Sequence, residues 1–180
     1  RGLLPAVHKL GFSYPSFYDE IKSFSRITDI LKAVRRHSKL ADTGGSNWRA
    51  VIDSLRPDTQ RIWLGLPLAE KRYFMQHLSR YWNVARHRMP AEVAAVLDEM
   101  RTNGKLEILR GRLKAIDATD AGFDITFTTD GVEEHASANI LVNCIGSQAN
   151  FAKIESTFVE NLIDRNHIRD DELSHGIAAS

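Results

Sequence analysis

The sequence predicts an α+β fold, in which a helical block precedes a small antiparallel meander, and two observations support this. Up to residue 103 the apolar residues recur three and four positions apart, as on one face of a helix. Beyond Gly104 they alternate with polar residues, as in strands with one buried face. We therefore expect a helical segment over residues 1–103 and a region over residues 104–180 that contains the sheet.

The helical segment contains three stretches with a clear apolar face. The first is Ile27–Leu40, and the second and longest is Pro67–Arg88. The third starts at Pro90, which is favoured in the first turn of a helix, and ends at Gly104. Ser46 is expected to cap a short helix between the first two stretches. The third stretch has four residues that we expect to be buried, namely Val93, Val96, Leu97 and Met100.

The meander is expected to have three strands. Leu106 and Ile108 alternate with charged residues, and a second alternation covers residues 123–128. Asp130-Gly131 is a pair typical of tight hairpin turns, and the third run covers residues 132–136. These spacings predict consecutive antiparallel strands joined by short turns.

A continuous apolar run, Ile140–Ile145, ends at Gly146, which is the pattern of a strand buried on both faces. Glycine lets the backbone approach a ligand, because it has no side chain and tolerates unusual dihedral angles. Ligands of open α/β sheets lie at the carboxyl ends of strands. A core strand followed by an ordinary turn explains the same pattern. Within the run, Cys144 is either a redox thiol or, as we expect, a small packed apolar side chain.

Composition excludes several classes of protein. The chain begins at Arg1 and its first methionine is Met75, so we expect an interior part of a larger protein. No segment resembles a signal peptide or reaches the roughly 18 apolar residues of a membrane span. A single cysteine excludes an internal disulfide and a multi-thiolate metal site, which fits the cytoplasm. The histidines lack metal-site spacing, so no metal is expected.

Charge is distributed unevenly along the chain. Residues 1–90 contain 16 Lys and Arg against 7 Asp and Glu, whereas residues 91–180 contain 8 against 16. The basic half, with the clusters Arg35-Arg36-His37 and Arg86-His87-Arg88, could contact phosphate groups of an anionic partner. The net charge of only +1 argues against nucleic acid.

The order of helical block, meander and apolar run resembles bacterial FAD/NAD(P)-binding oxidoreductase-like proteins, distant relatives of flavin-containing and lysine or ornithine monooxygenases. Five segments carry this resemblance: RGLLPAVH, NWRAVIDSLRP, RYFMQHLSRYWNVARHRMP, GKLEILRGRL and ILVNCIG. The resemblance implies α/β architecture near the apolar run, which would be a returning buried strand of a dinucleotide-binding domain. It also implies that the helical segment adjoins a nicotinamide-binding domain.

The resemblance implies cofactors and site residues as well. FAD and NAD(P)H are the expected cofactors of the full-length protein, and Arg1 matches a position that reaches the 2′-phosphate of NADPH. Five residues have backbone expected near the flavin or the interdomain linker: Asn143, Cys144, Ile145, Gly146 and Ser147. Both G-x-G-x-x-G loops should lie upstream of Arg1, and a last flavin-contacting segment should lie downstream. These further segments are the expected partners, and we expect the chain alone to be inactive.

A second hypothesis is a non-enzymatic helical interaction module that binds an anionic partner through residues 26–88. The two hypotheses differ in what precedes Arg1. A strand, a glycine loop and a helix would favour the oxidoreductase, whereas linker sequence would favour the interaction module.

Overall fold

A computed structural model describes residues 3–146, 150 and 153–178, and its contacts divide the chain into two compact units. The helical unit covers Leu4–Asn103, and the sheet unit covers Gly104–Ser180 together with Arg1–Leu3. Helices and a small antiparallel sheet together make the fold α+β. Among the described residues, no helix is both long enough and apolar enough to cross a membrane.

The helical unit contains one helix of 17 residues and six shorter helices among the described residues. They are α1 (Tyr18–Ile21), α2 (Ile27–Thr43), α3 (Trp48–Ser54), α4 (Thr59–Gly65), α5 (Leu68–Tyr73), α6 (Ser79–Arg86) and α7 (Ala91–Thr102). A 3-10 turn, Arg56–Asp58, precedes α4. A π-helical segment, Phe74–Leu78, joins α5 to α6 and is called the π segment below.

The predicted helices form, but one is interrupted in its interior and two begin at other residues than predicted. The helix predicted over Pro67–Arg88 is present but is interrupted by the π segment. Ser46 does not cap α3, because the extended backbone of an N-cap occurs one residue later at Asn47. The Asn47 Oδ1 accepts a hydrogen bond from the Arg49 N–H at 2.9 Å. Pro90 is the N-cap of α7 instead of its first residue.

The core of the helical unit forms where α2, α3 and the amino-terminal segment meet. Ile21 and Val51 are the largest fully buried side chains, and Phe17, Ile27 and Ile30 pack with them. Burial of these apolar surfaces is the main favourable contribution to the stability of the unit.

Helix α7 lacks the buried stripe that its apolar spacing predicts. Val93 is 47% exposed, Val96 is 54% exposed, and no residue of α7 is buried. The prediction was wrong because helical spacing identifies an apolar face but does not determine what covers it.

The sheet unit contains a three-stranded meander, as predicted. Strands β1 (Arg112–Thr119), β2 (Gly122–Thr129) and β3 (Val132–Ala138) pair antiparallel in that order. At the predicted turn, Asp130 has φ 49° and Gly131 has φ 91°, the two left-handed conformations of a type I′ turn. A further helix, α8 (Thr157–Asp164), follows the sheet.

The first strand does not lie where the alternation predicted it. Leu106 and Ile108 are outside any strand, and β1 begins at Arg112. The register of β1 against β2 shifts between Leu113 and Ala115. Such an irregularity places two residues of one strand opposite one of its neighbour, which breaks the alternation on which the prediction depends.

The apolar run Ile140–Ile145 forms no strand, so the predicted buried strand is absent. Ile140 is 79% exposed and Ile145 is 91% exposed. A strand buried on both faces needs neighbours along its edges and layers above and below it. The described residues of this chain do not supply those neighbours to the run.

Candidate functional site

The described part of the predicted cofactor-binding segment, residues 143–146, is an exposed turn. The Asn143 side chain accepts a hydrogen bond from the Ile145 N–H at 3.1 Å, which bends the chain just before Gly146. Gly146 has φ 89°, a left-handed conformation that favours glycine, and a Cβ there would meet no atom of the described residues within 4 Å. A ligand could therefore approach this backbone closely.

The structure describes Cys144, but it does not describe two other predicted site residues, Arg1 and Ser147. Cys144 is exposed, so the prediction that it packs as a small apolar side chain was wrong, because the strand that would bury it does not form. Arg1 and Ser147 lie outside the described residues. Of the predicted site residues, the structure therefore describes only residues 143–146, which are consecutive in one turn.

A larger candidate site lies within the helical unit, where a cavity of about 490 Å³ opens between α2, α4 and the helix that contains the π segment. This volume lies within the range of small-molecule sites in proteins, roughly 300 to 1,000 Å³. The lining residues carry no charge and are almost all apolar: Ile27, Ile30, Leu31, Val34, Ile52, Leu55, Thr59, Ile62, Trp63, Leu66, Phe74, Met75, Leu78, Tyr81, Trp82 and Ala85.

Two kinds of side chain shape the cavity. Ile27, Ile30 and Leu55 are buried and belong to the core of the unit, so part of the wall is rigid. Tyr81 is 49% exposed, so the cavity opens to solvent on that side. Thr59, the one aliphatic hydroxyl in the lining, donates to the Leu55 carbonyl at 3.0 Å. The wall therefore presents aliphatic and aromatic surface with little polar character.

The π segment forms one wall and is stabilised by a serine. The Ser79 N–H bonds to the Phe74 carbonyl, five residues earlier, in place of the Met75 carbonyl used by a regular α-helix. The Ser79 hydroxyl donates to the Met75 carbonyl at 2.7 Å and satisfies the acceptor that the wider turn releases. Phe74, Met75 and Leu78 of this wider turn all line the cavity. Single π turns occur often at functional sites.

A buried arginine fixes the carboxyl end of α6. Arg88 forms an ion pair with Asp53, and its guanidinium also lies 5.8 Å from the ring of Trp48. Arg49 lies over the same ring at 4.5 Å and donates to the Val7 carbonyl at 2.7 Å. Burial, with a smaller contribution from the charge of Arg88, lowers the pKa of Arg49 below its usual value. This network joins α3, α6 and the amino-terminal segment.

The Asp53 carboxylate stays ionised within this network. Partial burial tends to raise its pKa, but the hydrogen bond from Arg88 and the charges of Arg88, Arg56 and Arg86 outweigh that effect. The net result is a pKa below the usual aspartate value of 3.8.

A chain of hydrogen bonds links α1 to α2. The Tyr14 hydroxyl lies 2.8 Å from His37 Nδ1, and His37 Nε2 lies 3.0 Å from Glu20 Oε2. The His37 ring stacks on Phe17 with centroids 4.0 Å apart. The hydrogen bond with His37, aided by Arg36, holds the pKa of Glu20 below its usual value, although burial opposes it. In the tautomer with the N–H at Nε2, His37 donates to Glu20 and accepts a hydrogen bond from the Tyr14 hydroxyl at Nδ1.

The two basic clusters that suggested an anionic partner are partly committed to internal pairs. In the first, Arg36 and His37 contact Glu20, and in the second, Arg88 contacts Asp53. Paired cations offer less charge to an outside phosphate. Within the part of the chain that the structure describes, no group of three or more His, Cys, Asp or Glu side chains could hold a metal ion.

Comparison with known proteins finds no relative. No protein-family model matches the chain, and no curated protein or solved structure is detectably similar to it.

Sequence reasoning missed the cavity, although it identified many of its residues. Phe74, Leu78, Tyr81, Trp82 and Ala85 formed the apolar stripe of the predicted long helix, and Ile27 and Ile30 formed that of α2. The spacing indicated faces that pack together. The spacing did not indicate that a cavity separates the apolar faces of these two helices. A single extra residue in a helical turn is not visible in the apolar pattern.

Proposed function

We propose that this chain is part of a flavin- and NAD(P)H-dependent oxidoreductase, in which the helical unit adjoins the nicotinamide-binding domain and the Ile140–Gly146 segment joins the flavin-binding sheet. The resemblance of its five segments to FAD/NAD(P)-binding proteins motivates this proposal. The partners of the chain would be the remaining parts of the two dinucleotide-binding domains.

One observation carries the proposal. The Ile140–Ile145 run has the composition of a doubly buried strand, yet Ile140, Val142 and Ile145 are each more than 70% exposed. Exposing so many apolar side chains in one run is unfavourable, because each loses the stabilisation that burial provides. In a dinucleotide-binding domain, parallel strands would pair with the run along its edges, and helices would cover its two faces. The run therefore fits a strand that pairs with segments outside this chain.

The residues at the end of the run fit contact with a cofactor. Among the described residues, Gly146 has open space where a side chain would stand, and the Asn143 side chain bends the chain just before it. FAD would accept a hydride from NAD(P)H, and the protein would supply orientation and shielding from water. By the same resemblance, Arg1 would hold the 2′-phosphate of NADPH through its planar guanidinium.

The decisive experiment uses the protein from the complete reading frame. We expect the purified protein to show the visible absorbance of flavin, and to lose that colour when NADPH is added without oxygen. Replacing Gly146 with Val should reduce flavin content, because a β-branched residue tolerates positive φ poorly and its side chain fills the open space. Gly176→Ala is the control, since that position has ordinary contacts and lies in the same unit.

Two results would overturn the proposal. One is a protein that stays colourless in excess FAD. The other is a reading frame in which the sequence upstream of Arg1 lacks a strand, a G-x-G-x-x-G loop and a helix in succession.

A further inference from the structure

We propose that the helical unit binds a neutral, predominantly apolar small molecule in the cavity between α2, α4 and α6. The site lies entirely within Leu4–Asn103 and needs no flavin, so it is independent of the oxidoreductase proposal.

The size and shape of the cavity favour a small molecule. Its volume of about 490 Å³ suits a ligand of a few fused rings or a comparable branched aliphatic compound. Side chains from α2, α4 and α6 enclose the space on several sides, with the core of the unit as its floor.

The chemistry of the lining determines the class of ligand. No lining residue is charged, and the cations Lys71 and Arg80 lie against the rings of Trp63 and Tyr81 instead of in the lining. An ionised group inside the cavity would therefore lose its hydration without a direct counter-ion. Water is a poor occupant too, because it requires several hydrogen-bond partners and an apolar wall supplies few. Phe74, Trp63 and Trp82 offer aromatic faces and edges, and Met75 adds a flexible, polarisable side chain. A neutral aromatic or aliphatic molecule is therefore the best match.

The π segment indicates that the backbone of the helical unit itself keeps the cavity open. A regular α-helix through Phe74–Leu78 would rotate the residues that follow it, including Tyr81 and Trp82, relative to α2 and α4. With this wider turn, Phe74, Leu78 and Trp82 all line the cavity. Ser79 stabilises this arrangement by bonding to the Met75 carbonyl.

Binding can be measured on the chain itself with N-phenyl-1-naphthylamine, a neutral probe whose fluorescence rises in apolar surroundings. We expect saturable binding of one probe per chain, together with a change in tryptophan emission, because Trp63 and Trp82 line the cavity. 2-Ethylnaphthalene should displace the probe. Its charged counterpart, 2-naphthoate, should do so at least about tenfold less well, because its carboxylate would be desolvated without a partner.

Cavity-filling variants test the location. Ala85→Phe and Val34→Phe place a ring into the space from α6 and from α2, and each should weaken probe binding by about tenfold or more. Ala95→Phe adds the same ring to an exposed position of α7 and should leave binding unchanged. Circular dichroism and cooperative thermal unfolding would establish that each variant is folded.

The proposal is overturned if the wild-type chain shows no saturable binding, or if the filled variants bind as tightly as Ala95→Phe. If both filled variants unfold, the competition in the wild-type chain decides. Equal displacement of the probe by 2-naphthoate and by 2-ethylnaphthalene would then contradict a neutral apolar site.

Discussion

Arg88 and Asp53 form a two-pronged ion pair although they are 35 positions apart in the sequence. Arg88 Nη1 donates to Asp53 Oδ2 at 2.8 Å, and Nη2 donates to Oδ1 at 3.0 Å. The Arg88 side chain is only 3% exposed, and it also donates to the carbonyls of Ala85 and Arg49. One side chain thus joins the end of α6 to α3 and satisfies carbonyls on both.

Replacing Arg88 should destabilise the helical unit strongly. Arg88→Ala leaves the Asp53 carboxylate and two carbonyls without this donor, and we expect a loss of about 3 kcal/mol in the free energy of unfolding. Arg88→Lys should recover only part of this loss, because an ammonium group cannot reproduce the planar fork. Urea unfolding followed by circular dichroism measures both.

Arg101→Ala is the matched control for Arg88. Arg101 is 54% exposed and its nitrogen lies 3.9 Å from Asp98, so its removal should change stability by at most about 0.5 kcal/mol. Equal effects at Arg88 and Arg101 would show that the Arg88 network does not stabilise the unit.

The ion pair should also make stability depend on pH. The pKa of Asp53 is lower in the folded chain than the usual 3.8, so the unfolded chain binds more protons at acidic pH. The contribution of Asp53 is therefore fully present above about pH 5 and is lost as the pH falls through its folded pKa. The difference in unfolding free energy between wild type and Asp53→Asn should shrink from about pH 6 to about pH 3. A difference that stays constant over this range would contradict the assignment.

Ser79→Ala should weaken the π segment. Without its hydroxyl the Met75 carbonyl loses a bond of 2.7 Å, and we expect a cost of about 1 kcal/mol and a shift of the helix towards regular α-helical pairing. Hydrogen exchange at the Ser79 amide and the emission of Trp82 report this change. Ser38→Ala is the control, because Ser38 makes the same kind of bond to the Val34 carbonyl within the regular helix α2. The π segment would not depend on Ser79 if both variants behaved alike.

Gly122→Ala should destabilise the sheet unit. Gly122 has φ 144°, and a Cβ there would overlap the Ala138 carbonyl oxygen and lie 2.9 Å from the Asn139 Cα. Both neighbours are backbone atoms of β3 and its exit, so relief would require the strands to separate. We expect a loss of about 2 kcal/mol or more, measured by thermal unfolding. Gly176→Ala, whose Cβ would make an ordinary contact of 3.8 Å with Asp171, should be nearly neutral.

The sequence by itself determined the features that depend on local geometry. The apolar spacing predicted α2 and the long helix, because side chains three and four residues apart share a helical face. The Asp130-Gly131 pair predicted the hairpin turn, because few residues adopt two successive left-handed conformations. The change of period after Gly104 predicted where the helices end, although the first strand begins only at Arg112.

Only the tertiary structure decided the features that depend on distant residues. The spacing of Val93 and Val96 and the apolar run Ile140–Ile145 both predicted burial, yet these side chains are exposed, because burial requires a covering surface that local sequence cannot specify. The Arg88–Asp53 pair and the apolar cavity likewise arise where α3, α4 and α6 meet α2. Contacts between elements depend on how far apart the chain holds their faces, and that distance is a property of the whole packed unit.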